Sequence, residues 1–324
     1  MRIQIVGGGS WGLALARLLA HGGHAVRLWC REEDGPDTLR ATRHSPYYLP
    51  AMVLPEEVDV SPAVDRDAQI AVFAVPSHAM RDVLAAHAFS PDTIRVSVAK
   101  GIENNTLYRM SQVIEDVTGG VPIVALSGPS HAEEVARDLP ASVVVAGTDA
   151  AAATVQHAFT CETFRVYTSA DIVGVELGGA LKNVIAIAAG ASDGLGLGDS
   201  AKAALITRGL AEISRLGVAL GAEPLTFAGL SGMGDLIVTC TSRHSRNRAL
   251  GEGVASGQSA EEILKASHMV AEGVRTTVSA LALAARCSVE MPIAEQVHRV
   301  LFEGVAPRDA VPALMQRELK PEQA

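Results

Sequence analysis

The stretch Arg2-Ile3-Gln4-Ile5-Val6-Gly7-Gly8-Gly9-Ser10-Trp11-Gly12 decides how the rest of the chain is read. Residues Arg2–Val6 have the composition of a buried strand. They run without a break into G-x-G-x-x-G, and a helical stretch, Leu13–Ala20, follows. Gly7 permits the tight turn, Gly9 lets a pyrophosphate approach the backbone, and Gly12 lets the helix pack close to the sheet. The helix N-terminus then offers free N–H groups to the phosphates. Between a strand and a helix the motif predicts a dinucleotide-binding βαβ unit rather than a flexible glycine turn.

Further short apolar runs follow at Ala25–Trp29, Ile70–Val75, Ile94–Ala99, Pro122–Leu126 and Ser142–Ala146, with Phe164–Tyr167 as a last strand. Gly/Pro/Ser breaks and helical stretches separate them. That alternation predicts strands buried on both faces in a parallel sheet. Near residue 175 the pattern changes, and from Glu176 onward the chain reads as mostly helical. Ala201–Leu220 places Ala203, Ile206, Leu210, Ile213 and Leu220 at helical spacing. Further helices are expected around Ser259–Lys265, Thr276–Arg286 and Ile293–Leu301, the last opened by Pro292. The expected fold is α/β: an N-terminal Rossmann-like, doubly wound, mostly parallel sheet (residues 1–178), then an all-α C-terminal domain (179–324). Ligands in such folds bind between the domains, at the carboxyl ends of the strands.

Of the 324 residues, 48% are hydrophobic and 19% charged, which excludes a disordered chain. Aromatics supply only 4%, so the core is aliphatic. The net charge of -9 and the missing basic stripe exclude a nucleic-acid partner. Cys30, Cys161, Cys240 and Cys287 form no CxxC pair, so neither a disulfide framework nor a metal site is expected, and a reducing compartment, the cytoplasm, fits. The N-terminus has no signal-peptide pattern. No apolar run approaches the ~20 residues that span a bilayer. The longest uncharged stretch, Val117–Ala132, is broken by glycines and prolines, so no membrane insertion is expected. The tail after Leu319 is polar and expected to fray.

The second strand should end beside the adenosine ribose of a bound dinucleotide. There Arg31 suits a 2′-phosphate and Glu32 suits a 2′-hydroxyl, which leaves NADP and NAD both open with a lean to NADP. Lysines are scarce, five against 22 arginines. Lys100 and Lys182 nevertheless sit in apolar, glycine-flanked contexts. A buried ammonium can be tuned to exchange protons near neutrality and a guanidinium cannot, so these two are candidates for proton transfer. Taken alone, Lys182 reads equally well as a lysine at the edge of the core. Asn183 follows it, but adjacent helical residues point about 100° apart and need not share a cleft.

Read together, these segments resemble the bacterial NAD(P)-dependent glycerol-3-phosphate dehydrogenases. The matching segments are GGGSWG (7–12), VPSH (75–78), AKG (99–101), SGPS (127–130), VGVELGGALKNVIAIAAG (173–190), AALITRGL (203–210), GMGDLIVTC (232–240), SRNR (245–248), VAEGVRT (270–276) and EMPI (290–293). The resemblance implies reversible reduction of dihydroxyacetone phosphate to sn-glycerol 3-phosphate by NADPH or NADH, a step that feeds glycerophospholipid synthesis. It implies Lys182 as the catalytic proton acceptor. It implies substrate contacts from Lys100, Gly128, Ser130, Lys182, Asp235, Ser245, Arg246 and Asn247. Cofactor contacts are implied for Gly7, Gly9, Ser10, Trp11, Gly12, Arg31, Lys100, Ala132, Arg246, Val270 and Glu272. Two positions depart from the family pattern: His131, where an aromatic such as Phe is expected, and Ser200, where Asn is more usual. Read on local sequence only, Asp235 is equally a helix N-cap. Dehydrogenases of the 3-hydroxyisobutyrate or 6-phosphogluconate type share the architecture and the Lys–Asn pair, but SRNR and GMGDL argue against them. A non-catalytic dinucleotide sensor would not need Lys182. Oligomeric state stays open, a homodimer among the options.

Overall fold

In the computed structural model residues 1–266, 271–319 and 321–322 are described. Val270 and most of the tail after Leu319 lie outside them.

Among the described residues, eight strands form one sheet: β1 (Arg2–Val6), β2 (Ala25–Trp29), β3 (Asp59–Val60), β4 (Ile70–Phe73), β5 (Ile94–Ser97), β6 (Ile123–Ser127), β7 (Ala141–Gly147) and β8 (Phe164–Ser169). Their spatial order is β3-β2-β1-β4-β5-β6-β7-β8. β1 stands between β2 and β4, parallel to both. The strand order reverses there, which opens a crevice at the carboxyl ends of β1 and β4, where the glycine loop leaves β1. The β6–β7 pair is antiparallel, and β7–β8 is parallel again. The sheet is therefore mostly parallel, with one reversal that apolar runs alone do not encode. β3 has two residues, too short for periodicity to reveal.

The chain leaves the sheet through the helix Ile172–Gly194, so a boundary at 178/179 falls inside this helix. Asp171 starts it: the carboxylate accepts from the Gly174 and Glu223 backbone N–H groups at 2.8 and 2.9 Å and from the Thr226 hydroxyl at 2.6 Å. Length and apolar composition alone would let this helix cross a bilayer. The expectation that no apolar run approaches that width is corrected here: Glu176, Lys182 and Asp193 interrupt the charge-free stretch but not the hydrophobicity. Its apolar character is spent inside the protein. Leu177, Leu181, Ile185 and Ile187 pack with Ile213, Leu216 and Phe227 in a core separate from those that flank the sheet.

The helix Arg246–Ala255 lies directly against it. A Cβ on Gly190 would stand 1.9 Å from the Arg248 carbonyl oxygen, and one on Gly251 would stand 1.9 Å from that of Ile187. Glycine at both points lets the two backbones touch, which brings the start of the second helix beside Asn183.

Candidate active site

One open cleft, with about 360 Å³ of accessible space, runs from the glycine loop and the end of β2 to Lys182 on the central helix. At its β1 end the backbone of Gly7 has φ +121°, and a Cβ on Gly12 would lie 1.9 Å from the Gly7 carbonyl oxygen. The helix Ser10–His21 therefore starts tight against the turn, with no side chain capping it. Its first N–H groups are left for a ligand. A Cβ on Gly9 would meet no atom within 4 Å, so the bare backbone faces open space, as a pyrophosphate cradle requires. Trp11, Arg31, Ala132 and Glu272 line the same cleft. These residues fit a dinucleotide.

At the other end Asp235 joins two lysines. Lys182 Nζ donates to its Oδ1 at 2.5 Å and to Thr239 Oγ1 at 2.6 Å. Lys100 Nζ donates to its Oδ2 at 2.7 Å and to the Gly128 carbonyl at 3.0 Å. Lys182 and Asp235 are buried, with relative exposures of 5% and 1%. Burial disfavours the Lys182 ammonium and brings its pKa down to about 8, even though Asp235 pulls the other way. For Asp235 burial would raise the pKa, but the two ammonium groups outweigh it and hold the carboxyl below its ordinary range. Asp235 is the first residue of the helix Asp235–Thr241 and makes no capping bond, so the N-cap reading is replaced by an ion-pair role.

Asn183 does share the cleft with Lys182. Its Nδ2 donates to the Lys100 carbonyl at 3.2 Å, and its Oδ1 accepts from Asn247 Nδ2 at 3.0 Å. The Asn247 Oδ1 accepts from the Gly273 N–H at 3.0 Å. This amide chain links β5's exit, the central helix, the Arg246–Ala255 helix and the helix that starts at Glu272. One Asn247 N–H remains for a ligand. Ser245 caps its helix by accepting from the Arg248 N–H at 3.2 Å, which leaves its hydroxyl hydrogen to donate. The Ser130 hydroxyl donates to the Gly128 carbonyl at 3.2 Å. Both oxygens of Glu272 are bonded to Ser77, to its N–H at 2.9 Å and its hydroxyl at 2.6 Å. That clamp ties the helical half to the VPSH loop.

Of the three arginines around the SRNR segment, only Arg246 lines the cleft. Arg248 is drawn back to Asp193 at 2.7 Å. Arg243 is exposed and stands outside the lining.

Two features were not legible beforehand. Asp34, not Glu32, is the carboxylate in the cleft beside Arg31; Glu32 is exposed and absent from the lining. Tyr48, 17 residues beyond Arg31, reaches the same spot, and its hydroxyl donates to Asp34 Oδ1 at 3.4 Å. Only a fold that returns Tyr48 to the end of β2 could reveal it. His131 also lines the cleft, with a buried Nε2 that has no hydrogen-bond partner. Burial, with the charge of Lys182, lowers its pKa and favours the neutral ring.

Residues 2–153 match the N-terminal model of NAD-dependent glycerol-3-phosphate dehydrogenase, and residues 171–312 match the C-terminal one. A relative from Pelotomaculum thermopropionicum, named glycerol-3-phosphate dehydrogenase (NAD(P)+), is 52% identical over 98% of this chain and 93% of its own. The Syntrophotalea carbinolica protein of the same name is 52% identical over 99% of both. The crystal structure of glycerol-3-phosphate dehydrogenase from Coxiella burnetii superposes with a TM-score of 0.92 at 38% identity, covering 98% of this chain and 99% of that one.

Proposed function

The chain belongs to the NAD-dependent glycerol-3-phosphate dehydrogenase family, and on that premise we propose that its cleft performs the reversible, NAD(P)H-dependent reduction of dihydroxyacetone phosphate to sn-glycerol 3-phosphate, with Lys182 moving the proton. The observation that carries this reading is the buried Lys182–Asp235 pair, joined by the half-buried Lys100, at one end of a cleft whose other end is the glycine loop.

When bound, the nicotinamide supplies the hydride. Lys182, as ammonium, meets the negative charge that develops on the carbonyl oxygen and donates its proton to it. In the reverse direction its neutral amine takes the hydroxyl proton. A pKa of about 8 leaves both forms accessible near neutrality. Asp235 holds the ammonium in place, and Lys100 sets a second positive charge beside the same oxygen. Ser245, Arg246 and Asn247 clamp the substrate phosphate at the start of the Arg246–Ala255 helix, where free N–H groups and a guanidinium favour an anion. Gly128 and Ser130 complete the substrate side. Gly7, Gly9, Ser10 and Trp11 hold the pyrophosphate, Gly12 serves the cofactor site by letting the helix start tight against the turn, Arg31 lies by the adenosine ribose, and Ala132 and Glu272 border the cofactor with Arg246. We take residues 1–178 as the nucleotide-binding part and 179–324 as the substrate part. The enzyme is assigned to the cytoplasm, where it provides a phosphorylated precursor for glycerophospholipids; its oligomeric state stays open, with a homodimer among the options.

Initial rates with dihydroxyacetone phosphate and NADPH or NADH, followed by nicotinamide absorbance, test the assignment. Oxidation of either cofactor that depends on dihydroxyacetone phosphate supports it. No turnover of this ketone, with turnover of a 2-hydroxy or sugar acid instead, would overturn it.

A further inference from the structure

Arg31 stands two residues beyond the end of β2 and pairs with Asp34. Its Nε and a terminal nitrogen donate to the two oxygens of Asp34 at 3.3 and 3.0 Å, and its backbone N–H donates to the same carboxylate at 3.3 Å. The two ends of this pair differ in exposure: the Arg31 side chain is 60% exposed, that of Asp34 only 7%. Tyr48 closes the far side of the carboxylate with its hydroxyl. All three line the cleft with Gly7 and Gly9.

In this topology the end of β2 is where the adenosine ribose of a bound dinucleotide arrives. A carboxylate there accepts the 2′-hydroxyl of NAD, and an arginine there pairs the 2′-phosphate of NADP. Most arrangements offer one or the other. Here both groups are bound to each other, so the pair presents little net charge and holds an acceptor and a donor at one place.

We propose that Asp34 sets the nucleotide preference of this enzyme. It accepts the 2′-hydroxyl of NADH directly, and by neutralising Arg31 it weakens the pull on the 2′-phosphate of NADPH. The Arg31–Asp34 pair thereby makes the site serve both cofactors. Asp34→Asn keeps the shape and a hydrogen-bonding side chain, but removes the charge. NADH then loses its best acceptor, and Arg31 stands uncompensated before a phosphate. Arg31→Gln does the opposite, because the freed carboxylate repels the 2′-phosphate and still receives the hydroxyl.

This inference rests on the reading of the cleft as an NAD(P) site, so its test reads binding rather than turnover. The Kd values of NADPH and NADH are measured by nicotinamide fluorescence for the unaltered enzyme, for Asp34→Asn and for Arg31→Gln. In Asp34→Asn the ratio Kd(NADH)/Kd(NADPH) should rise about fivefold or more, the order expected for one partly exposed, charge-assisted hydrogen bond. In Arg31→Gln it should fall by a similar factor. A merely structural role for Asp34 would weaken both cofactors together and leave the ratio unchanged; that result, or a shift in the opposite direction, overturns the proposal. Should Asp34→Asn not fold, Arg31→Gln and Tyr48→Phe decide it, the latter being expected to raise the ratio modestly by loosening the carboxylate; an unmoved ratio in both overturns it. A failed dihydroxyacetone phosphate assay with nucleotide binding intact would count against the reaction and not against this inference. An unaltered enzyme that binds neither nucleotide would overturn both.

Discussion

The two ends of the cleft are built from the same parts, a carboxylate bonded to basic side chains, and they do different work. At the central helix, Asp235 and Lys182 are both buried, and a second ammonium, Lys100, shares the carboxylate. Near the end of β2, Asp34 is buried but its partner Arg31 reaches into solvent. In the proposed reaction, burial makes the first grouping the chemically active one. With no water to stabilise the ammonium, the Lys182 pKa is brought down to about 8. The second grouping keeps its guanidinium charged at all working pH values, so in the proposed function it recognises a ligand and exchanges no protons. The degree of desolvation, more than the residue types, then separates the proposed catalytic end from the proposed recognition end.

The largest effect should come from removing the active member of the buried group. Lys182→Ala is expected to lower kcat by about a thousandfold, the scale of a general acid together with charge stabilisation, while NADPH still binds. Near-normal kcat would dissolve the contrast between the two ends.

Arg246→Ala should raise the KM for dihydroxyacetone phosphate by about 30-fold through loss of a charge-assisted phosphate contact. The thermal midpoint should hardly move, because Arg246 is exposed. An unchanged KM would remove Arg246 from the clamp.

The pH dependence follows from the Lys182 pKa of about 8. Reduction needs the ammonium, so kcat/KM for reduction, which reports the free enzyme, should fall as pH rises through that value. Oxidation needs the free amine, so kcat/KM for oxidation should rise over the same range. Each limb should approach a tenfold change per pH unit beyond the pKa. Matching limbs of the same sign in both directions would place the proton elsewhere.

Stability separates the two carboxylates as well. Asp235→Ala strands two ammonium groups in a buried site and should cost about 3 kcal/mol. Asp34→Ala leaves an arginine that water already reaches and should cost under about 1 kcal/mol. Denaturant unfolding of both variants would show equal losses if burial were not what distinguishes them. Smallest of all, His131→Phe replaces an unpartnered buried nitrogen with carbon and should stabilise the fold by up to about 1 kcal/mol.

Much of the frame was legible in local sequence. Arg2–Gly12 announces strand, turn and helix because only glycine suits the turn at Gly7 and the contact at Gly12. The scarcity of lysine singled out Lys100 and Lys182, since a chain that otherwise relies on arginine has a reason for each buried amine. The β6–β7 reversal escaped notice because a strand buried on both faces reads alike in either direction. The bilayer-length helix escaped because its apolar run is punctuated by three charges, each satisfied by tertiary partners.

What the sequence by itself determined is everything that depends on neighbours a few residues apart: the periodicity that makes strands and helices, the glycine turn and the choice of amine over guanidinium. What only the tertiary structure decided is which groups meet across long separations. Lys100 and Asp235 lie 135 residues apart, and Lys182 and Asp235 lie 53 apart. Tyr48 turns back to Asp34, and Arg248 turns away to Asp193 while Arg246 stays in the cleft. The physical reason is that local propensity acts through bonded and near-neighbour sterics, whereas a pKa, an ion pair or a ligand preference depends on desolvation and distance. The chain sets those only once the sheet and the C-terminal helices have packed against the helix Ile172–Gly194.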